Sequence, residues 1–204
     1  MSRIDRKRVF DLVVTTPALV LSLPVQAAVA VAVRRKLGSP VLFAQERPGL
    51  DGEVFVMRKF RTMLEPDPAK GLISDADRLT PFGVFLRSTS LDELPTLWNI
   101  VRGDMSVVGP RPLLVRYLER YSPEQARRHE VRPGLTGLAQ VSGRNATSWE
   151  QRLALDVEYV DTHTLRGDLA IIARTVRAVL KRDGIAAEGD VTMPEFMGEG
   201  GGRA

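Results

Sequence analysis

Leu12 to Val33 reads LVVTTPALVLSLPVQAAVAVAV, 22 residues without a charge. As a straight helix it is about 33 Å long, close to the ~30 Å hydrocarbon core of a bilayer. Basic residues flank it on both sides: Arg3, Arg6, Lys7 and Arg8 before, Arg34, Arg35 and Lys36 after. Positive charge beside a membrane segment marks the cytoplasmic side, so both ends are expected on one face. Pro17 and Pro24 lie inside the run, where each removes a backbone donor and disturbs a helix. The reading is a re-entrant helix-break-helix turning near Pro24, with Ser22 or Gln26 as partner for the freed backbone. A kinked single span and a buried core helix with basic caps are the alternatives. A cleaved signal peptide fits poorly, because the apolar part is long and basic residues follow it directly.

The rest of the chain is read outward from this segment. Its 204 residues make one domain, or one domain plus an appendage. The formal charge is +4, with a net +5 in residues 1–36 and −1 in the remainder. The excess positive charge therefore belongs to the apolar segment. With 6% aromatic residues there is little surface for stacking bases, and nucleic acid is disfavoured as a partner. Zero cysteines exclude thiol nucleophiles, zinc-cysteine sites, iron-sulfur clusters and disulfides. His129 and His163 are the only histidines; they have no triad-like company and read as surface residues. Any metal must be held mainly by oxygen, which points to Mg²⁺ or Ca²⁺.

Residues 41–63, VLFAQERPGLDGEVFVMRKFRTM, read as two strands joined by Pro48-Gly49-Leu50-Asp51-Gly52. Period two places Lys59 and Arg61 on one face with Phe55, Met57 and Met63. Residues 64–79 read as a loop, and 91–102, 112–120, 123–131, 148–162 and 168–182 as helices. The fold class is α+β, mainly α-helical with a small antiparallel β-hairpin. Its divisions are a membrane hairpin at 1–36, a catalytic domain at 37–197 and a glycine-rich tail at 198–204.

Three places look chemical. Asp92 and Glu93 are adjacent carboxylates, pointing about 100° apart on a helix, which suits divided roles. Yet Ser90-x-x-Glu93 is also a capping box, with Asp92 in a favourable first-turn position. On spacing alone the capping reading is the stronger. In Gly109-Pro110-Arg111-Pro112 two prolines stiffen the backbone around one arginine, which suits a guanidinium aimed at phosphate; Pro112 equally suits the first position of a helix. Arg132-Pro133-Gly134-Leu135-Thr136-Gly137, running on to Gln140 and Ser142-Gly143-Arg144, offers backbone amides in a loop without being a P-loop.

The ordered combination is more specific than its parts. The basic-flanked apolar hairpin, Gln45-x-Arg47-x-Gly49, Lys59-Phe60-Arg61-Thr62-Met63, Arg87-x-x-Ser90-x-Asp92-Glu93-Leu94-Pro95, Asn99, Gly103-Asp104-Met105-Ser106, Gly109-Pro110-Arg111-Pro112 and the Arg132 to Gly137 run resemble the bacterial sugar transferases, the small monotopic phosphoglycosyl transferases. The resemblance covers about residues 3 to 197. It implies transfer of a phosphosugar from a UDP-sugar to polyprenyl (undecaprenyl) phosphate, with release of UMP and use of Mg²⁺. The catalytic domain would lie on the cytoplasmic face of the bacterial inner membrane, at the first membrane step of glycoconjugate assembly. Carried over, Asp92 is the nucleophile that forms a phosphosugar-aspartyl intermediate and the protein's ligand for Mg²⁺. Glu93 is its partner, acting on the incoming polyprenyl phosphate. Lys59, Arg61, Arg87 and Arg111 are the phosphate ligands. Asn99, Asp104 and Asp168 take either network positions or direct contact.

Two departures from the family pattern stand out. Its Ser-Pro break appears here as Leu23-Pro24, with Ser22 one residue early, and its Asn-Trp-Ser segment appears as Thr162-His163-Thr164. Val179 to Gly189 resembles the transferases that start bacterial N-linked glycans, implying a donor carrying an N-acetylated bacillosamine. A non-catalytic membrane anchor, with the dyad serving only as a helix cap, is the competing reading.

Overall fold

The apolar segment folds into one helix, α1 (Arg3–Lys36), with Pro17 and Pro24 both inside it. The computed structural model describes residues 3–142, 148–181 and 195–198. The expected helix-break-helix is thus not a break in secondary structure, since α1 runs on through Leu23-Pro24. Side chains bond the disturbed turn: Ser22 Oγ donates to the Leu19 carbonyl at 2.9 Å, and Gln26 Nε2 donates to Ser22 Oγ at 2.9 Å. One face of α1, with Asp11, Thr15, Leu19, Val29 and Val33, is buried. Val13, Val20, Leu21, Leu23 and Val31 stay exposed, Leu21 at 79%. Such a face is costly in water and at home in lipid. Among the described residues α1 is the one helix long and apolar enough to cross a membrane.

Both ends of α1 are bonded to the same body of protein. Near its start, Arg8 donates to the carbonyls of Ile100 and Val101, at 2.5 and 2.6 Å. Lys7 Nζ lies 3.1 Å from Asp11 and 3.0 Å from Asp168, two buried carboxylates. Asp11 also accepts from Ser106 Oγ and the Val107 amide. At the far end, Arg61 donates to the carbonyls of Leu37 and Ser39, while Val29, Val33 and Leu37 pack with Phe60 and Leu86.

The hairpin forms as expected. β1 (Leu42–Pro48) pairs antiparallel with β2 (Val54–Phe60), Gln45 facing Met57. Asp51 (φ 53°) and Gly52 (φ 77°) make the turn between them. Residues 64–79 hold more order than a loop. Met63 bridges to Leu79 and α2 (Asp75–Arg78) forms behind a reciprocal Ser74–Asp77 cap. Next comes α3 (Pro81–Ser88), absent from the expected elements although Thr80-Pro81 is a start signal: Thr80 caps it and Pro81 opens it.

The expected helix 91–102 divides into a 3-10 turn at Leu91–Glu93 and α4 (Thr96–Arg102). β3 (Ser106–Val108) and the later β4 (Gly134–Thr136) form a short parallel pair that the sequence reading lacks. The expected helix 112–120 begins late, as a 3-10 turn at Val115–Arg120, because the backbone is still extended at Leu114. The expected 123–131 is α5 (Pro123–Ala126) followed by a 3-10 turn at Arg127–His129. α6 (Leu138–Ser142) leads to α7 (Trp149–Thr162), capped by Ser148, and α8 (Leu165–Lys181) closes the helical part. The fold is mainly helical with a small antiparallel sheet, as expected. Residues 199–204 of the expected tail lie outside the described residues.

Leu19, Met57, Leu97, Ile100, Met105, Val107, Val108, Tyr159 and Ile171 make the main core, so α1, β2, α4, β3, α7 and α8 meet at one place. α4 is stapled to β2 by polar side chains. Thr96 Oγ1 donates to the Arg58 carbonyl at 3.0 Å, Asn99 Nδ2 donates to the Val56 carbonyl at 2.8 Å, and Asn99 Oδ1 accepts from the Arg58 amide at 3.3 Å. The Thr96 hydroxyl and the Asn99 amide thereby satisfy the backbone groups that a further strand would have paired.

Candidate active site

Asp92 and Glu93 sit in the 3-10 turn between α3 and α4, and the capping reading fails there. Ser90 adopts a left-handed backbone (φ 55°, ψ 18°) and its side chain caps nothing. A non-glycine residue in that region stores strain, which clusters at functional sites. Glu93 turns instead to Arg111, whose Nη2 donates to Glu93 Oε1 at 2.9 Å. Asp92 is 5% exposed, and its carboxylate makes no hydrogen bond or ion pair among the described residues. Its surroundings set its acidity. Burial and then the Glu93 charge push its pKa up from the usual 3.8 to about 6, against the pull of Lys59, Arg87 and Arg111. Glu93 goes the other way: burial alone would raise it, but Arg111 and Lys59 outweigh that and hold it below the usual range. Two neighbouring carboxylates are thus pushed apart in acidity, the mark of divided roles.

Three cations surround the dyad, and a fourth lines the pocket beside it. Lys59, on β2, is held below the ordinary lysine range by burial and then by Arg111, while Glu93 and Asp92 oppose the shift. Arg87, in the last turn of α3, donates from Nε to Thr62 Oγ1 at 3.0 Å, which aims the guanidinium. Arg111 is fixed from behind as well as in front: Arg128 Nη2 donates to its carbonyl at 2.7 Å, and Arg128 is itself held by buried Asp156 at 2.7 Å. The fourth is Arg47 at the end of β1, which the sequence reading quoted in a motif without giving it a role. A small open pocket, with a cavity volume of about 80 Å³, is lined by Arg47, Lys59, Glu93 and Arg111, with Met57 and Leu135 on the apolar side.

The glycines around this pocket are structural. A Cβ on Gly134 would lie 2.1 Å from the Gly109 nitrogen, and one on Gly109 would lie 2.4 Å from the Arg132 carbonyl oxygen. The two loops touch backbone to backbone, and the Gly134 amide donates to the Pro110 carbonyl. That amide is therefore spent on holding the Arg111 loop rather than on a phosphate cradle. Pro112 opens no helix; its carbonyl accepts from Arg47 at 3.2 Å.

The structure does not bring every expected residue to the pocket. Arg61 leaves the Lys59 face because β2 ends at Phe60 and the alternation stops; its guanidinium serves Leu37, Ser39 and Glu65. Asn99 holds β2 and Asp104, whose Oδ2 accepts from Asn99 Nδ2 at 2.9 Å. Asp168 lies in the α1 network, accepting from the Tyr159 hydroxyl at 2.8 Å. All three take network positions. His129 is half-buried rather than at the surface. Its Nδ1 meets the Gly49 carbonyl at 3.1 Å, and burial lowers its pKa to about 4, so it is neutral at pH 7. Arg144 and residues 182–189 lie outside the described residues.

No group of three or more metal-ligating side chains occurs among the described residues. The donor set still fits Mg²⁺ bound with substrate, since that ion usually takes one or two carboxylates and completes its shell with phosphate and water. Asp92 is the carboxylate left for that use. Glu93 is committed to Arg111, Asp104 to Asn99, and Asp168 to Lys7 and Tyr159.

Comparison with known proteins agrees with the geometry. The chain is 49% identical over 195 residues to an uncharacterized sugar transferase of Bacillus subtilis (strain 168), covering 95% of this chain and 96% of the relative. It is 43% identical over 196 residues to a UDP-galactose-lipid carrier transferase of Erwinia amylovora, covering 87% of this chain and 41% of that protein. It is 44% identical over 190 residues to the UDP-glucose:undecaprenyl-phosphate glucose-1-phosphate transferase of Caulobacter vibrioides, covering 87% of this chain and 71% of the relative. It thus spans under half of the Erwinia protein and most of the other two. The family profile described as bacterial sugar transferase matches residues 2–182, and with these relatives it shows that the chain belongs to the bacterial sugar transferase family.

Proposed function

We propose that the chain moves a phosphosugar from a UDP-sugar to polyprenyl (undecaprenyl) phosphate and releases UMP, through a covalent phosphosugar-aspartyl intermediate on Asp92. The observation that carries this reading is the buried Asp92 carboxylate, free of protein partners and ringed by Lys59, Arg87 and Arg111. A structural carboxylate would be paired; this one is kept available. An Asp92 oxygen attacks the β-phosphorus, the bond from that phosphorus to the bridging oxygen breaks, and the α-phosphate leaves as UMP. A phosphate oxygen of the polyprenyl acceptor then attacks the same phosphorus, and the Asp92 carboxylate is regenerated. Lys59, Arg87 and Arg111 offset the charge of the phosphates and the nucleophile. Glu93, kept ionised and bonded to Arg111, orients that guanidinium toward the acceptor's phosphate. Asp92 is the residue that would hold Mg²⁺ arriving with the donor, and the ion would supply further neutralisation of phosphate charge.

The membrane part of the proposal is monotopic: α1 enters and leaves one leaflet, with the catalytic domain at the cytoplasmic face. Bonds from both ends of α1 to the same domain support it, as do the two basic clusters. Re-entrance then needs a bend within a continuous helix, which Pro24 permits. On the donor, the resemblance at Val179 to Gly189 favours a UDP-linked N-acetylated bacillosamine and a role in N-linked glycan assembly. The names of the Erwinia and Caulobacter relatives favour galactose or glucose. Comparing kcat/KM across these UDP-sugars separates the two readings.

The test of the reaction is UMP release from UDP-sugars, required to depend on both polyprenyl phosphate and Mg²⁺ for full turnover. Quenching before acceptor is added should leave labelled phosphosugar on wild-type protein and none on Asp92→Asn. Turnover of Asp92→Asn near the wild-type rate would overturn the assignment and restore the membrane-anchor reading.

A further inference from the structure

Among the described residues, Arg47 is a cation without an anion. Its Nη1 donates to the Pro112 carbonyl at 3.2 Å and its Nη2 to Gln45 Oε1 at 2.5 Å, both neutral acceptors. Its Nε is buried with no partner. Among the described residues it takes part in no ion pair with a carboxylate, whereas Lys7, Arg61, Arg111 and Arg128 each do. Burial and then the neighbouring Arg111 charge bring its pKa down to about 10, so the protein works against its own stability to keep this charge here. A half-buried unpaired charge is expensive unless a ligand supplies the counter-charge. Arg47 also lines the pocket with Lys59 and Arg111, where Glu93 is the only acid and is already bonded to Arg111.

The position of Arg47 is asymmetric. Asp92 feels Lys59, Arg87 and Arg111. Arg111 bonds Glu93, the chain neighbour of Asp92, and Arg47 bonds the carbonyl of Pro112, the chain neighbour of Arg111. Arg111 therefore lies between the nucleophile and Arg47. A diphosphate with its β-phosphorus at Asp92 extends its other phosphate past Arg111, toward Arg47. The bonds to Gln45 and Pro112 hold the guanidinium planar and fixed, the preorganisation that phosphate recognition needs.

From this geometry we infer that Arg47 is the ligand of the nucleoside-side phosphate, the group that departs as a nucleoside monophosphate. The inference rests on the reaction proposed above and adds a residue to it. When the bond from the β-phosphorus to the bridging oxygen breaks, the bridging oxygen stays with the α-phosphate, which gains a negative charge. Contact with Arg47 is stronger after that charge develops than before, so it accelerates departure rather than only binding the donor.

UMP itself is the probe. In wild type, UMP binding is measured by calorimetry on the full chain in detergent. Arg47→Gln should weaken it about a hundredfold, and Arg47→Lys, which keeps charge without the planar fork, about tenfold. The kcat/KM for polyprenyl phosphate should stay within about twofold of wild type in Arg47→Lys, because it reports the second half-reaction, in which the acceptor's phosphate comes to Asp92 and not to Arg47. Thermal midpoints of both variants report folding, and Arg47→Lys keeps a cation in the pocket wall if Arg47→Gln unfolds. UMP affinity unchanged in Arg47→Lys, or a loss shared equally by UMP and acceptor, would overturn the inference while leaving the reaction intact. Wild type that binds UMP but forms no phosphosugar-enzyme would sink the proposed reaction and this role together.

Discussion

Replacing Asp92 by asparagine should stabilise the protein while abolishing turnover. The carboxyl is 5% exposed, and its pKa rises from the usual 3.8 to about 6 on folding, chiefly through burial. The folded state therefore holds the proton more tightly than the unfolded chain, so ionisation opposes folding. At about 1.36 kcal/mol per pH unit, a rise of roughly two units amounts to about 3 kcal/mol against the fold. The penalty is absent below about pH 4, grows between pH 4 and 6, and is complete above pH 6. Asparagine never ionises and escapes it. Thermal unfolding of the two proteins in the same detergent, with EDTA present, should show Asp92→Asn melting higher at pH 7.5. For a chain of this size each kcal/mol is worth about 2–4 °C, so a gain of about 6–12 °C is expected. At pH 4 the two curves should nearly coincide. An Asp92→Asn protein less stable than wild type at pH 7.5, or a gain independent of pH, would refute the picture of a strained, partnerless carboxylate.

Three further outcomes are expected. Formation of the phosphosugar-enzyme should show an acid limb near pH 6 in kcat/KM, from Asp92 in the free enzyme, and a limb at or below pH 4 would contradict its raised pKa. Glu93→Gln should lower kcat by at least about tenfold with little change in melting temperature, since Ser90 makes no cap for it to lose; near wild-type rates would remove Glu93 from the site. Asn99→Leu strips partners from the Val56 carbonyl, the Arg58 amide and Asp104 together, at about 1–3 kcal/mol for each buried group left unsatisfied. Denaturant unfolding should detect that loss, with the KM for donor hardly moved in whatever protein remains folded.

The apolar segment, the hairpin and the long helices were legible because each rests on local pattern: an uncharged run, an Asp-Gly turn, a stripe at helical spacing. Lys59, Arg87, Asp92, Glu93 and Arg111 were legible through the ordered motifs of a resemblance, not through spacing, which favoured a helix cap at Ser90. What settles that question is the left-handed backbone of Ser90 and the reach of Glu93 to Arg111, eighteen residues away. Arg61 was misplaced because alternation was extended one residue past the end of β2 at Phe60. Arg47 went unassigned because its lack of a counter-ion is a property of packing. The β3–β4 pair joins segments almost thirty residues apart, each only three residues long, and so short a strand leaves no periodicity to read.

The bonds at the two ends of α1 carry one more consequence. A helix fastened to its domain by Arg8 at its start and by Arg61 just past its end cannot serve as a slack tether, so in the membrane placement proposed above the altitude of Asp92 over the lipid would be set by how deep α1 sits. Sliding α1 by one turn is about 5.4 Å, well beyond the error an attack at about 3–3.5 Å can absorb. The thickness of the bilayer thereby becomes a parameter of the chemistry. Lipids with longer or shorter acyl chains should tune the encounter with a polyprenyl headgroup, although they never touch the pocket.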